Sequence, residues 1–143
     1  MQFLNKDFNC SADVVIAFHA KLRSKIENWK ADDKIVFGDV TLNDGNGYNN
    51  QTGVFTAPYD GIYVFEWTIL TYPGKYFCLD FMVNNKSAAI TQNRLSGSSH
   101  PGVSSSVVVK LQKDDKTWLE SYKSYVGQYA HGDGWTYLSG FKL

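Results

Sequence analysis

Apolar and polar residues alternate with period two over short segments of this chain, and clusters of turn residues separate the segments. Val14, Ile16, Phe18, Ala20 and Leu22 share one face of a first segment, with His19 and Lys21 on the other. Tyr63, Phe65, Trp67 and Ile69 share a face backed by Ile62, Val64, Glu66 and Thr68. Phe77, Leu79, Phe81 and Val83 alternate against Tyr76, Cys78, Asp80 and Met82, and Val107, Val109 and Leu111 form a further row. Residues 135–143 alternate once more and are expected to close the assembly. Successive side chains of a strand point to opposite faces, so this pattern predicts half-buried strands. Residues 43–47, 58–61, 73–74, 84–86 and 132–134 supply Gly or Asn for positive φ, or Pro where φ is preset, and read as the turns of an all-β sandwich. One segment departs from the pattern. Leu22, Ile26 and Trp29 stand at helical spacing with Ser24 as a cap, so residues 23–33 are expected to be a loop with one helical turn.

No internal repeat, low-complexity tract or linker divides the 143 residues, which suffice for one core. The expected organisation is an N-terminal segment, residues 1–13, followed by one globular domain, residues 14–143. A hydrophobic fraction of 43% with 15% aromatics is too apolar for a disordered chain. Fourteen basic residues balance fourteen acidic ones, so no net field draws the chain to nucleic acid or to an anionic membrane. No apolar run approaches the ~20 residues of a membrane span. Residues 1–10 lack the basic start, apolar run and cleavage site of a signal peptide. Three sequons, at Asn9, Asn50 and Asn85, lean toward a secreted protein. Cys10 and Cys78 are too few for a disulfide framework, and two reduced thiols with Cys78 half-buried is the plain reading.

The chemistry of an enzyme is missing from the motifs. His19, His100 and His131 do not form a helical zinc motif, and the two cysteines form no zinc ribbon. There is no nucleophile elbow, phosphate loop or dinucleotide fingerprint. Three Glu and scattered Asp give no carboxylate pair for glycoside hydrolysis. His131 and Asp133 lie close in a Gly-rich loop, where an imidazole base is conceivable, but a solvated loop is the simpler reading. The chain is expected not to be an enzyme.

Aromatic spacing from Phe37 to Trp67 is specific. Five residues separate Phe37 from Asn43, four separate Asn43 from Tyr48, six separate Tyr48 from Phe55, and five separate Phe55 from Gly61. Tyr63, Phe65 and Trp67 then follow at alternate positions. This resembles the signature of the C1q domain family, the globular head of the first complement component, over 31 positions; Trp67 stands where the family has Phe or Tyr. Ala17-Phe18, Tyr48-Asn49, Thr52-Gly53, Ala57-Pro58, Trp118-Leu119 and Gly140-Phe141 extend the resemblance to residues 14–143. It implies a C1q/TNF-like jelly-roll β-sandwich of about ten strands, a homotrimer, and a secreted protein. Large aromatics at alternate positions suit the ~10 Å gap between packed sheets, so the signature residues are expected in the core.

The chain lacks a Gly-X-Y stalk and in this resembles head-only members of the family, which are abundant in invertebrate innate immunity. Calcium-holding relatives use Asp and Gln ahead of the strand that ends near Trp118. Here residues 81–113 contain no Asp or Glu, and Asn93, Arg94 and Pro101 stand near those places. No metal or cofactor is expected. The resemblance implies a lectin-like pattern-recognition protein of innate immunity that binds microbial or self glycans. The alternative is a signalling or adhesion ligand, similar to cerebellin-type or TNF-like members, that binds a protein receptor. Ligand contact is expected on loops 71–75, 92–104 and 123–134. There Lys75, Arg94, Lys123, His100 and His131 outweigh Asp133, which favours acidic sugars, and Tyr72, Tyr125, Tyr129 and Trp135 offer flat faces to a sugar ring.

Overall fold

A computed structural model describes residues 14–93, 100–122 and 128–143. Its strands are β1 (Ala17–Lys21), β2 (Ile26–Trp29), β3 (Asp39–Asp44), β4 (Tyr48–Asn49), β5 (Val54–Thr56), β6 (Gly61–Leu70), β7 (Phe77–Val83), β8 (Lys86–Asn93), β9 (Gly102–Leu111), β10 (Lys116–Ser121), β11 (Gln128–Ala130) and β12 (Tyr137–Lys142). Ten of them form two five-stranded sheets, ordered β3-β1-β12-β6-β9 and β4-β5-β10-β7-β8, and β2 with β11 makes a two-stranded ribbon. All the pairings are antiparallel. This is the jelly-roll sandwich that the alternation and the resemblance lead one to expect.

The inward rows meet between the sheets. Tyr63, Phe65, Trp67 and Ile69 of β6 are buried, as are Phe77, Leu79 and Phe81 of β7. Trp67 stacks on Phe81 across the gap, with centroids 5.2 Å apart and planes 4° apart. Its indole Nε1 donates to Thr91 Oγ1 at 3.2 Å, so the larger ring at this position finds a polar partner. The signature residues also hold one another. Asn43 Nδ2 donates to the Tyr48 carbonyl at 2.8 Å while Tyr48 N donates to Asn43 Oδ1 at 3.1 Å. The Tyr48 hydroxyl in turn accepts from Phe37 N at 3.0 Å. Burial pushes the Tyr48 phenol up to about 12, so it stays a neutral partner.

As expected, the C-terminal run completes the sandwich: β12 lies between β1 and β6, in the middle of its sheet. Two expectations are corrected. Residues 23–33 contain no helical turn: β2 runs through them and pairs with β11. Asn28 there has φ 54°, which breaks the alternation that marks other strands. Val14 does not join the inward face of the first strand; it precedes β1 and is 60% exposed.

The outward face of the first sheet is laddered by register. Ala17, Phe141, Val64 and Val108 lie opposite one another in one row. His19, Ser139, Glu66 and Ser106 form the next, and Lys21, Tyr137, Thr68 and Ser104 the one after. Val108 is 64% exposed, and Phe141, Ile62 and Leu42 are also exposed, so this face presents apolar side chains to its surroundings.

Candidate functional site

The C-terminal ends of β1, β6, β8 and β10 and the N-terminal ends of β7, β9 and β12 share one end of the sandwich, since Lys21 is opposite Tyr137, Leu70 opposite Gly102, and Phe77 opposite Asn93. Short connections at that end are rigidly tied. Residues 72–75 form a turn in which Lys75 N donates to the Tyr72 carbonyl at 3.0 Å, with Pro73 ahead of Gly74 at φ 76°, the type II arrangement. Residues 132–135 form a second turn, closed by Trp135 N donating to the Gly132 carbonyl at 3.1 Å. Its central residues, Asp133 and Gly134, have φ of 53° and 84°, as a type I′ turn requires. A Cβ on Gly132 would stand 2.5 Å from the Ser24 carbonyl carbon, so only glycine lets this turn lie against residues 22–24. The backbone between the turns is pinned as well. His131 N donates to the Leu70 carbonyl at 2.7 Å, Thr71 N to the Pro101 carbonyl at 2.9 Å, and Tyr129 N to the Tyr76 carbonyl at 3.1 Å. Below them Gln128 is buried; its Oε1 accepts from Cys78 N and its Nε2 donates to Ser121 Oγ at 2.5 Å.

These ties bring together five of the residues expected on the contact loops. The Tyr72 ring lies 4.5 Å from Tyr129, 4.7 Å from His131 and 5.0 Å from His100, centroid to centroid. Trp135 follows at 6.4 Å from His131. Leu70, His100, His131 and Trp135 line a cavity of about 300 Å³. Trp135 is 59% exposed, which leaves an indole face free at the rim, and His131 and Tyr72 are half-buried. Tyr129 is not the open platform expected of it. It sits on β11, 6% exposed under Tyr72, and burial first, with the Tyr72 phenol second, pushes its hydroxyl up to about 12. Lys75 is exposed and lines a separate recess of about 160 Å³ with Glu27, Asn28, Gln128 and Tyr129. Arg94, Lys123 and Tyr125 lie outside the described residues.

The neighbouring charges come from β2 and the residue before it. Lys25 Nζ pairs with Glu27 Oε1 at 2.6 Å and stands 6.0 Å from the Tyr129 ring centroid. The Glu27 carboxylate holds the exposed Lys25 ammonium above its ordinary value. Once β2 is known to pair with β11, the approach of Glu27 and the preceding Lys25 to the aromatic cluster follows from register; nothing in their own spacing announced it.

Comparison with known proteins agrees with this architecture. The family model described as "C1q domain" matches residues 17–143. Mouse complement C1q tumor necrosis factor-related protein 7 is 32% identical over 111 residues, covering 76% of this chain and 38% of that protein. The heavy metal-binding protein HIP of Mytilus edulis is 33% identical over 100 residues, covering 70% of this chain and 47% of its own length. The chain thus spans less than half of these curated relatives. Among solved structures, the globular domain of zebrafish complement 1qA superposes with a TM-score of 0.73 at 22% identity, over 90% of this chain and 97% of that one. Murine APRIL at pH 5.0 superposes with a TM-score of 0.67 at 13% identity, over 90% and 99%. These two likenesses are likenesses of fold. Members of the matched family are ligand proteins, not enzymes, and with the match running from β1 to the last residue, the chain belongs to the C1q domain family.

Proposed function

We propose that the chain is the recognition head of an extracellular protein and works as a homotrimer, binding carbohydrate at the end of the sandwich that carries Tyr72, His100, His131 and Trp135. The observation that carries this reading is the convergence of three separate loops on one aromatic-walled cavity, with an indole face exposed at its rim. An aromatic face accepts the C–H side of a sugar ring, and imidazoles and phenols beside it offer hydrogen bonds that fix orientation. Lys75 nearby, together with Arg94 and Lys123 in the same loops, favours a sugar with a carboxylate, which an Arg holds by two parallel hydrogen bonds. Domains of the C1q/TNF type form trimers, and the exposed apolar row on the first sheet supports the same assembly here.

The test is a glycan array probed with the purified protein. Binding to acidic glycans, weakened at least about tenfold by Trp135→Ala or by Arg94→Ala with unchanged melting temperature, supports the reading. Binding that survives both substitutions, or that is confined to neutral glycans, overturns it. The second reading, a ligand for a protein receptor, draws on the likeness to C1q/TNF-related proteins. A single high-affinity protein partner, with an empty array, favours that one.

A further inference from the structure

We infer that His100 and His131 together form a binding site for a divalent transition-metal ion such as zinc, copper or nickel. The two residues are 31 positions apart and belong to no sequence motif. The fold places them side by side, His100 ahead of β9 and His131 after β11, with ring centroids 6.1 Å apart. A metal–nitrogen bond of about 2.1 Å plus the imidazole radius puts each centroid about 3.2 Å from a shared ion, so two rings at a tetrahedral angle stand about 5.2 Å apart and collinear ones about 6.4 Å. The observed separation is about 1 Å wider than the tetrahedral one, a gap that a small swing of the exposed His100 ring closes.

Two further observations favour an ion here. Both imidazoles line the same cavity of about 300 Å³, so the space between them is open to a ligand. Tyr72 packs on both rings, edge-on to His100 at 67° and tilted at 55° to His131, and so keeps the two imidazoles side by side. His131 Nδ1 is buried, so ligation from this ring falls to Nε2. Imidazole nitrogen suits zinc, copper and nickel and is a poor ligand for calcium or magnesium, which want oxygen. Among the described residues no three His, Cys, Asp or Glu converge. Two imidazoles therefore supply the protein ligands and water completes the sphere, which makes the site exchangeable rather than structural. This inference does not rest on carbohydrate binding, although the two share cavity walls.

The purified chain, carrying Cys10→Ser to remove a competing thiol and stripped with chelator, is titrated with Zn²⁺, Ni²⁺ and Ca²⁺ by calorimetry. It is also titrated with Cu²⁺ while tryptophan fluorescence is followed, because Trp135 lies next to His131. The expected result is one saturable Zn²⁺ or Ni²⁺ ion per chain, no Ca²⁺ heat, and Cu²⁺ quenching that is lost in Trp135→Phe. His100→Gln, on an exposed side chain whose loss leaves the fold intact, and His131→Gln should each weaken Zn²⁺ binding at least about tenfold. His19→Gln, on the first sheet's outward face, should leave it unchanged. Absence of saturable Zn²⁺ binding, or binding that persists in the His100→Gln/His131→Gln double variant, overturns the inference.

Discussion

His19 and Ser139 stand directly opposite each other on β1 and β12, with His19 Nδ1 2.5 Å from Ser139 Oγ. The ring also tilts against Tyr137, 5.3 Å away. Burial, and after it the charge of Lys21, holds the His19 pKa below its ordinary 6.5. Glu66 lies beyond Ser139 in the same row. A base whose native pKa is depressed takes up its proton more readily in the unfolded chain. Its contribution to stability is therefore complete above pH 6.5 and declines as the pH falls from 6.5 toward the native value. Urea midpoints measured from pH 8 down to about 5 should fall in that window, and His19→Gln should flatten this part of the profile. A variant profile that parallels the parent's assigns the acid sensitivity to other groups.

Val64 lies opposite both Phe141 and Val108, and this row faces outward in a single chain. Val108→Asp changes a side chain that is 64% exposed, where a substitution shifts the stability of an isolated domain by only about 0.5 kcal/mol. In a trimer that covers this face, the same change buries an unpaired carboxylate. Light scattering should give three times 16.1 kDa for the parent and one chain's mass for Val108→Asp, with unchanged far-ultraviolet dichroism. A trimeric variant would mean that another face makes the assembly.

Gly140 of β12 sits against two core aromatics, Phe18 and the signature residue Phe65. A Cβ there would stand 2.5 Å from Phe18 Cε1 and 2.6 Å from Phe65 Cδ1. Gly140→Ala therefore overpacks the core and should cost about 1–3 kcal/mol by denaturant melts. Phe65→Leu in the same chain should recover part of that loss, since contacting residues are not additive. Strict additivity of the two would show that the strain is relieved elsewhere.

The core was legible in the sequence because burial imposes period two on β6 and β12, and because Phe37, Asn43 and Tyr48 are spaced to bond one another. Sheet order was not. That β12 lies between β1 and β6 depends on pairings between residues as far apart as Ala17 and Phe141, or Thr68 and Tyr137, which no local pattern encodes. β2 was hidden by the positive φ of Asn28, which removes alternation from four residues. At the candidate site, loop position and residue type were enough to single out Tyr72, His131 and Trp135. They could not show that Tyr129 is covered by Tyr72, or that His100 comes within 6.1 Å of His131, because both facts arise from the way β11 docks beside the end of β6.

Calcium should leave the melting temperature unchanged. Residues 81–113 carry no carboxylate, and Asp80, Asp115 and Asp60, outside that stretch, are engaged in hydrogen bonds. Asp80 is buried and accepts from Ser87 Oγ at 2.5 Å across the β7–β8 pair. Asp115 accepts from Gln112 N at 2.8 Å and from Asn84 Nδ2 at 3.2 Å, and Asp60 accepts from Lys113 N at 2.7 Å. Recruiting any of these to an ion means giving up those bonds, about 1.5–3 kcal/mol for each one made to a charged group. A ligand that binds only the native state at ~100 times its dissociation constant adds about 2.7 kcal/mol, a shift of several degrees for a domain of this size. Scans in millimolar calcium and in chelator should therefore coincide, while zinc held by His100 and His131 raises the melting temperature. A reproducible rise with calcium would place a carboxylate site in this chain, with Asp133, exposed at its type I′ turn, the first residue to replace by Asn.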